Sequence, residues 1–186
     1  MAKHEEIIPY EEVYRALNKA RIDYLVCGGL AVVMLGFSRT TVDLDLIVDL
    51  EKENLGKVYD VLTELGYKTS APITRNDFVN KSKLKQLERE KNMKVVSFYN
   101  PNDPFKIIDI GVNLPDIDSA LKNKRRIQVD DLSIPVIFIE DLIKMKEDLA
   151  REKDLIDVKN LKEINKYEKQ KKQRSINGGW TFDACL

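Results

Sequence analysis

Three aspartates occupy positions where a carboxylate is costly. Asp43 and Asp45 stand one residue apart in "TVDLDLIVD", and Asp109 lies in "KIIDIGV" among Ile107, Ile108 and Ile110. Both stretches have the apolar, β-branched character of strands. Side chains alternate across a strand, so Asp43 and Asp45 are expected to point one way and Val42, Leu44, Leu46 and Val48 the other, toward a core. Two carboxylates about 7 Å apart along a strand repel each other unless a cation lies between them. Magnesium takes oxygen ligands and retains phosphate oxygens, which suits it to that place. A bare D-x-D also occurs on the solvated face of an edge strand, and the same reading applies to Asp109 taken singly. The context supplies the argument.

That context is "LVCGGLAVVMLGF", where Gly28 and Gly29 separate a short apolar run from a helix-like one. Backbone N–H groups at a helix start are free, and without side chains an anion can approach them. A tight turn that needs glycine dihedrals accounts for one of the two glycines. A phosphate cradle, followed by a carboxylate pair on the next strand and a third acid on a later one, describes a site for a metal-bound nucleoside triphosphate.

These residues resemble the nucleotidyltransferase (DNA polymerase beta-like) superfamily. Its pattern is a glycine pair at a helix start, [DE]-h-[DE] on the next strand and h-[DE]-h on a later strand. The chain is similar in particular to the small branch of AbiEii-type toxins and lincosamide-nucleotidyltransferase-like proteins, which shows G-x-x-R-x-T-x-D-x-D. Here "GFSRTTVDLD" matches from Gly36 through Arg39 and Thr41 to Asp45. "SIPVIFIEDLIKMK" and "REKDLIDVKNL" match the branch's apolar-Pro-apolar strand, its helix with an inward lysine and its R-x-K-D-x-x-D segment. The resemblance covers residues 23 to about 164.

The resemblance implies transfer of a nucleoside monophosphate from an NTP to an acceptor hydroxyl on RNA, a protein or a small molecule. Asp43, Asp45 and Asp109 would be the catalytic residues and would bind two magnesium ions. Gly28, Gly29, Arg39, Thr41, Lys146 and Asp154 would line the nucleotide, with Lys146 and Asp154 facing a cleft. A toxin role with an antitoxin-like protein partner belongs to the same picture. The alternative is a catalytically idle relative that binds nucleotide or a partner. Arg151, Asp154 and Asp157, three residues apart, are also the spacing of an intrahelical ion-pair ladder.

The elements that must position these groups follow from periodicity. Pro9 opens a first helix with Val13, Ala16, Leu17 and Ala20 on one face. "DYLVC" is a buried strand, and "LAVVMLGF" is a helix closed at Gly36. "EKENLGKVYDVLTELGY" is an amphipathic helix with Leu55, Val58, Leu62 and Leu65 inward. Residues 68–92 are weakly patterned and end in a short exposed helix. "KVVSFYN" and "FKIIDIGV" flank "NPNDP" as a hairpin. "DIDSALKN" is a short helix, and "IQVDDLSIPVI" holds two strand segments around Asp130 and Asp131. One long helix is expected over residues 140–166, with Leu142, Met145, Leu149, Ile156, Leu161 and Ile164 inward. The fold class is α/β (α+β): a mixed sheet flanked by helices, nucleotidyltransferase-like, in one domain over residues 1–166. Residues 167–186 are expected to be a basic tail.

Composition narrows the rest. The 186 residues carry 31 Lys and Arg against 31 Asp and Glu, so no global field calls for nucleic acid or membrane. Basic stretches at 81–94, 122–126 and 169–174 suit solvated faces, or an RNA-binding protein that would leave the three acids unexplained. Cys27 and Cys185 form no framework or zinc spacing, which suits a reducing cytosol, and His4 is the single histidine. No signal-peptide h-region and no apolar run of about 20 residues is present, so a cytoplasmic protein is expected.

Overall fold

The computed structural model of the chain describes residues 8–112 and 117–176. His4, Trp180 and Cys185 lie outside them, as does residue 177 onward of the expected tail. In chain order the elements are α1 (Glu11–Lys19), β1 (Tyr24–Cys27), α2 (Gly28–Met34), β2 (Leu44–Val48), α3 (Lys52–Glu64), β3 (Lys68–Thr69), α4 (Arg75–Phe78), α5 (Lys81–Lys91), β4 (Val95–Asn100), β5 (Asp103–Gly111), α6 (Ile117–Lys122), β6 (Arg125–Val129), β7 (Leu132–Val136), α7 (Ile139–Leu149) and α8 (Glu152–Ile176).

The strands form a mixed seven-stranded sheet in the order β3-β4-β5-β2-β1-β7-β6. β2 runs parallel to β5 and β1 parallel to β7, and the other neighbours are antiparallel. The central strands have the apolar content that burial on both faces requires. Leu25, Val26, Leu44, Val48, Ile108 and Ile110 are fully buried. Helices cover the sheet through their apolar stripes: Val13, Tyr14 and Leu17 of α1, and Leu55, Val58 and Leu62 of α3. On the β4 flank, Tyr59, Phe78 and Phe98 form an aromatic cluster with centroids 5.6–5.9 Å apart. The fold class, the hairpin and the β6–β7 segments are as the sequence predicts. α4 and the two-residue β3 fall inside the weakly patterned region, where local periodicity carries no signal.

The long terminal helix is different. It is two helices, broken at Ala150, which adopts φ 49° and caps α7. α8 then continues through Ile176, well past residue 166. The break rotates the inward face. Leu149 and Ile156, expected inside, are about half exposed, whereas Lys146, Asp154 and Asp157 are buried. Hydrophobic periodicity misses this because the residues that pack inward at the corner are charged.

A left-handed alanine costs conformational energy that glycine does not. Ala150→Gly is therefore expected to stabilise the fold by about 0.5–1 kcal/mol, read from the midpoint of chemical denaturation. An unchanged or lower midpoint would argue against a strained corner.

Candidate active site

The site is built on one row of residues across four strands. Ser97, Asp109, Asp45 and Cys27 are successive register partners on β4, β5, β2 and β1. Partners in register point to the same face, so the carboxylates of Asp45 and Asp109 stand side by side on strands about 4.8 Å apart. Asp43 lies just before β2 and is exposed. Its charge is felt by Asp45. Burial first, and then the neighbouring Asp109 charge, push the Asp45 carboxyl up to about 6. The Gly29 N–H, 3.4 Å from Asp45 Oδ2, partly opposes that rise.

The glycine pair has a steric role that spacing does not reveal. Gly28 adopts φ +64°, and a Cβ there would lie 1.8 Å from Asp45 Oδ2. A Cβ on Gly29 would lie 2.3 Å from Thr41 Oγ1 and 3.5 Å from Arg39 Cζ. The turn is glycine because Asp45 and Thr41 occupy the space that side chains would need. This interlock joins Gly28, Gly29, Arg39, Thr41 and Asp45 in one unit.

Tyr10 braces the backbone on which Asp43 sits, through the Val42 carbonyl. It is 3 % exposed, holds φ 63° at the start of α1, and sends its hydroxyl between β2 and β5. That hydroxyl accepts from the Ile107 N–H at 3.0 Å and lies 2.8 Å from the Val42 carbonyl and 2.9 Å from the Ile107 carbonyl. The ladder between these strands begins at Leu44 and Ile108, so the tyrosine oxygen continues it where the backbones separate. Nothing in the spacing of the acids points to Tyr10. A left-handed tyrosine is recognisable only once the backbone is known.

A cationic network faces the acids. Lys146, 3 % exposed, donates to Asp157 Oδ2 at 2.8 Å and to Asp154 Oδ1 at 3.3 Å. Arg39 Nη1 donates to Asp157 Oδ2 at 2.5 Å, and Arg151 Nε to Asp154 Oδ2 at 2.5 Å. Burial alone would raise the Asp154 carboxyl, but Arg151 and Lys146 outweigh it and hold it below the usual range. Three cations against two carboxylates leave one positive charge, and the Lys146 charge favours ionised Asp45. Lys146 and Asp154 are thus buried against each other instead of facing an open cleft. Arg151 and Asp154 keep the expected ion pair, while Asp157 pairs with Lys146 and Arg39 from other elements.

The donor set suits a hard cation. Asp109 Oδ1 is buried and has no hydrogen-bond partner, an open oxygen of the kind a metal would satisfy. Among the described residues, however, no three His, Cys, Asp or Glu side chains form a group able to hold a metal ion. Asp45 and Asp109 are register partners, and Asp43 lies one residue before β2, exposed, with its charge felt by Asp45.

Two outcomes follow from this geometry. Asp45 has a folded value near 6 against 3.8 for an ordinary aspartate, so the native state holds this proton more tightly than the unfolded chain. Its contribution to stability is fully present below pH 3.8 and is lost as pH rises through 6. Asp45→Asn should therefore melt higher than the parent at pH 7, by on the order of 2–3 kcal/mol, with the gap closing near pH 4. Equal melting at both pH values would contradict the clustering of charge. Tyr10→Phe strips a partner from buried backbone groups and should cost about 1–3 kcal/mol, read by denaturant unfolding.

No protein-family model matches the chain, and no curated protein sequence matches it. Solved structures do. The lincosamide antibiotic adenylyltransferase LnuA, in its lincomycin-bound form, superposes with a TM-score of 0.55 at 18 % identity, covering 82 % of this chain and 94 % of its own. A candidate nucleotidyltransferase from Thermotoga maritima gives 0.53 at 15 %, covering 91 % and 96 %. An antigenic nucleotidyltransferase-like protein from Paracoccidioides brasiliensis gives 0.51 at 13 %, covering 82 % and 72 %. At these identities the likeness is one of architecture, and it extends over most of the chain. The chain is built on the nucleotidyltransferase fold.

Proposed function

We propose that the chain is a magnesium-dependent nucleotidyltransferase that moves a nucleoside monophosphate from an NTP to an acceptor hydroxyl. The observation that carries this reading is the side-by-side placement of Asp45 and Asp109 next to the glycine turn. Such a pair is costly in a fold that does not use it. Asp43 and Asp45 hold the metal–triphosphate complex, and Asp109, with its open oxygen, serves the acceptor side. Magnesium, when bound, supplies charge neutralisation for the attacking and leaving oxygens. Gly28 and Gly29 border the triphosphate, and Arg39 and Thr41 fix the loop that leads to Asp43. Lys146, held by Asp154 and Asp157, supplies a fixed positive charge toward Asp45. Following the resemblance, the acceptor is RNA, a protein or a small molecule, and the setting is a toxin–antitoxin pair with an antitoxin-like partner.

A second reading is a catalytically idle relative that binds nucleotide or a partner. It is favoured by Arg39 being committed to Asp157 and by the finding that no three acids among the described residues are grouped to hold a metal ion.

One experiment separates the two. The protein is incubated with each labelled NTP, magnesium and an extract of the source cell, and labelled products are resolved. The enzyme reading expects a labelled product. It also expects Asp109→Asn to lower kcat by on the order of 10²–10³-fold with little change in nucleotide affinity. Asp43→Asn should weaken both. An NTP should raise the melting temperature with magnesium and much less with EDTA. No label transfer from any of the four NTPs, with nucleotide still bound, would favour the idle relative.

A further inference from the structure

The basic stretch at residues 122–126 plays no part in the carboxylate site, and the fold gives it company. A cavity of about 680 Å³ opens at the start of β1, the opposite end of that strand from the glycine turn. None of Asp43, Asp45 and Asp109 lines it. Its charged lining is Arg15, Arg21, Lys124 and Arg126 against Asp23 and Asp131. Four cations over two carboxylates leave a positive excess in a chain whose formal net charge is zero.

The internal pairing is uneven. Arg15 grips Asp131 with both terminal nitrogens at 2.8 and 2.9 Å, and Lys124 is ion-paired to Asp23. The side chains of Arg21 and Arg126 make no hydrogen bond or ion pair among the described residues. The two acids hold Arg15 and Lys124, so the positive excess resides on the two unpaired arginines. The floor of the cavity is braced: Asn18 Nδ2 donates to the Ser133 carbonyl at 2.9 Å, and the Tyr24 hydroxyl donates to Asn18 Oδ1 at 3.1 Å.

Backbone geometry gives a second, independent pointer. α1 ends with the Arg21 N–H on the Asn18 carbonyl at 3.0 Å and the Ile22 N–H on the Leu17 carbonyl at 3.1 Å. This is the double bond pattern of a Schellman helix end, whose left-handed position is usually glycine. Here that position is Arg21, at φ 53°. The fold carries a conformational cost to keep an unpaired guanidinium at the rim, and such outliers concentrate where a side chain is used. Guanidinium groups match phosphate oxygens in shape and charge. The volume lies within the range of about 300–1,000 Å³ typical of small-ligand pockets.

We propose that this cavity is a second anion site, remote from the carboxylates, in which Arg21 and Arg126 bind the phosphoryl groups of a phosphate ester. The source is an RNA strand or a free nucleotide. The site does not depend on the transferase reading.

The test uses the full chain in EDTA, which silences any metal–triphosphate binding. Two probes are used: a short labelled single-stranded RNA followed by anisotropy, and free AMP as competitor. Arg21→Gly combined with Arg126→Ala should weaken RNA binding about tenfold or more and reduce the slope of log K against log salt by about 1.4, since each lost phosphate contact removes about 0.7. Arg21→Gly alone should weaken binding while leaving the melting temperature unchanged or higher, because glycine relieves the left-handed strain. Binding is read without metal and without turnover, so a failed transferase reading leaves this result standing. Competition by AMP at concentrations that match its own binding assigns the site to free nucleotides. Competition only by unlabelled RNA assigns it to a strand. The proposal is overturned if the parent binds neither probe, if the double variant binds as well as the parent, or if Lys81→Ala with Lys85→Ala on α5 weakens binding equally.

Discussion

The contact on which the site rests is repulsive. Asp45 and Asp109 are register partners on adjacent parallel strands, in the middle of a sheet whose neighbouring positions are apolar. Like charges at that spacing and burial raise each other's energy, and the Asp45 carboxyl is correspondingly shifted toward neutrality. A sheet tolerates such a pair only where its surroundings compensate. Three compensations are visible here: the Gly29 N–H, the Lys146 charge, and a turn that leaves room for the carboxylate. Two of them come from α2 and the third from α7, whose Lys146 is held in place by Asp154 and Asp157 of α8.

The α7–α8 corner shows how charge and packing are combined. A lysine with 3 % exposure would be expensive alone, and removing either aspartate would leave a buried cation short of a partner. Lys146 instead sits among Asp154, Asp157, Arg39 and Arg151, two helices and a loop contributing to one polar cluster. Apolar residues at these positions would pack the helices as well. What the ions add is direction. They fix α8 to the Arg39 loop and present one unbalanced positive charge beside the acids.

Much of this was legible in the sequence, and the residues show why the rest was not. The apolar strands carrying Asp45 and Asp109 and the glycine pair before them are visible as local pattern, and the fold sets these two acids in one row, whereas Asp43 falls just before β2. The mixed sheet and its hairpin followed from the same signal. Tyr10 was invisible because its partners, Val42 and Ile107, are distant in sequence and are contacted through backbone atoms that no residue type announces. The break at Ala150 was hidden because alanine is a strong helix former, and only tertiary pairing of Lys146 with Asp154 and Asp157 makes the turn worthwhile. Arg39 lies beside the glycine turn, and its bond to Asp157 depends on α8 folding back over the loop, which no local pattern announces.

The interlock of Gly28 with Asp45 has a consequence for descent. A side chain at position 28 would occupy the place of the Asp45 carboxylate, so the two positions are not free to drift independently. A lineage that abandoned the acid would release the glycine, and one that first acquired a side chain at 28 would expel the acid. Glycine and aspartate at these positions therefore count as one inherited constraint, and a relative that retains either without the other would have had to rebuild the turn.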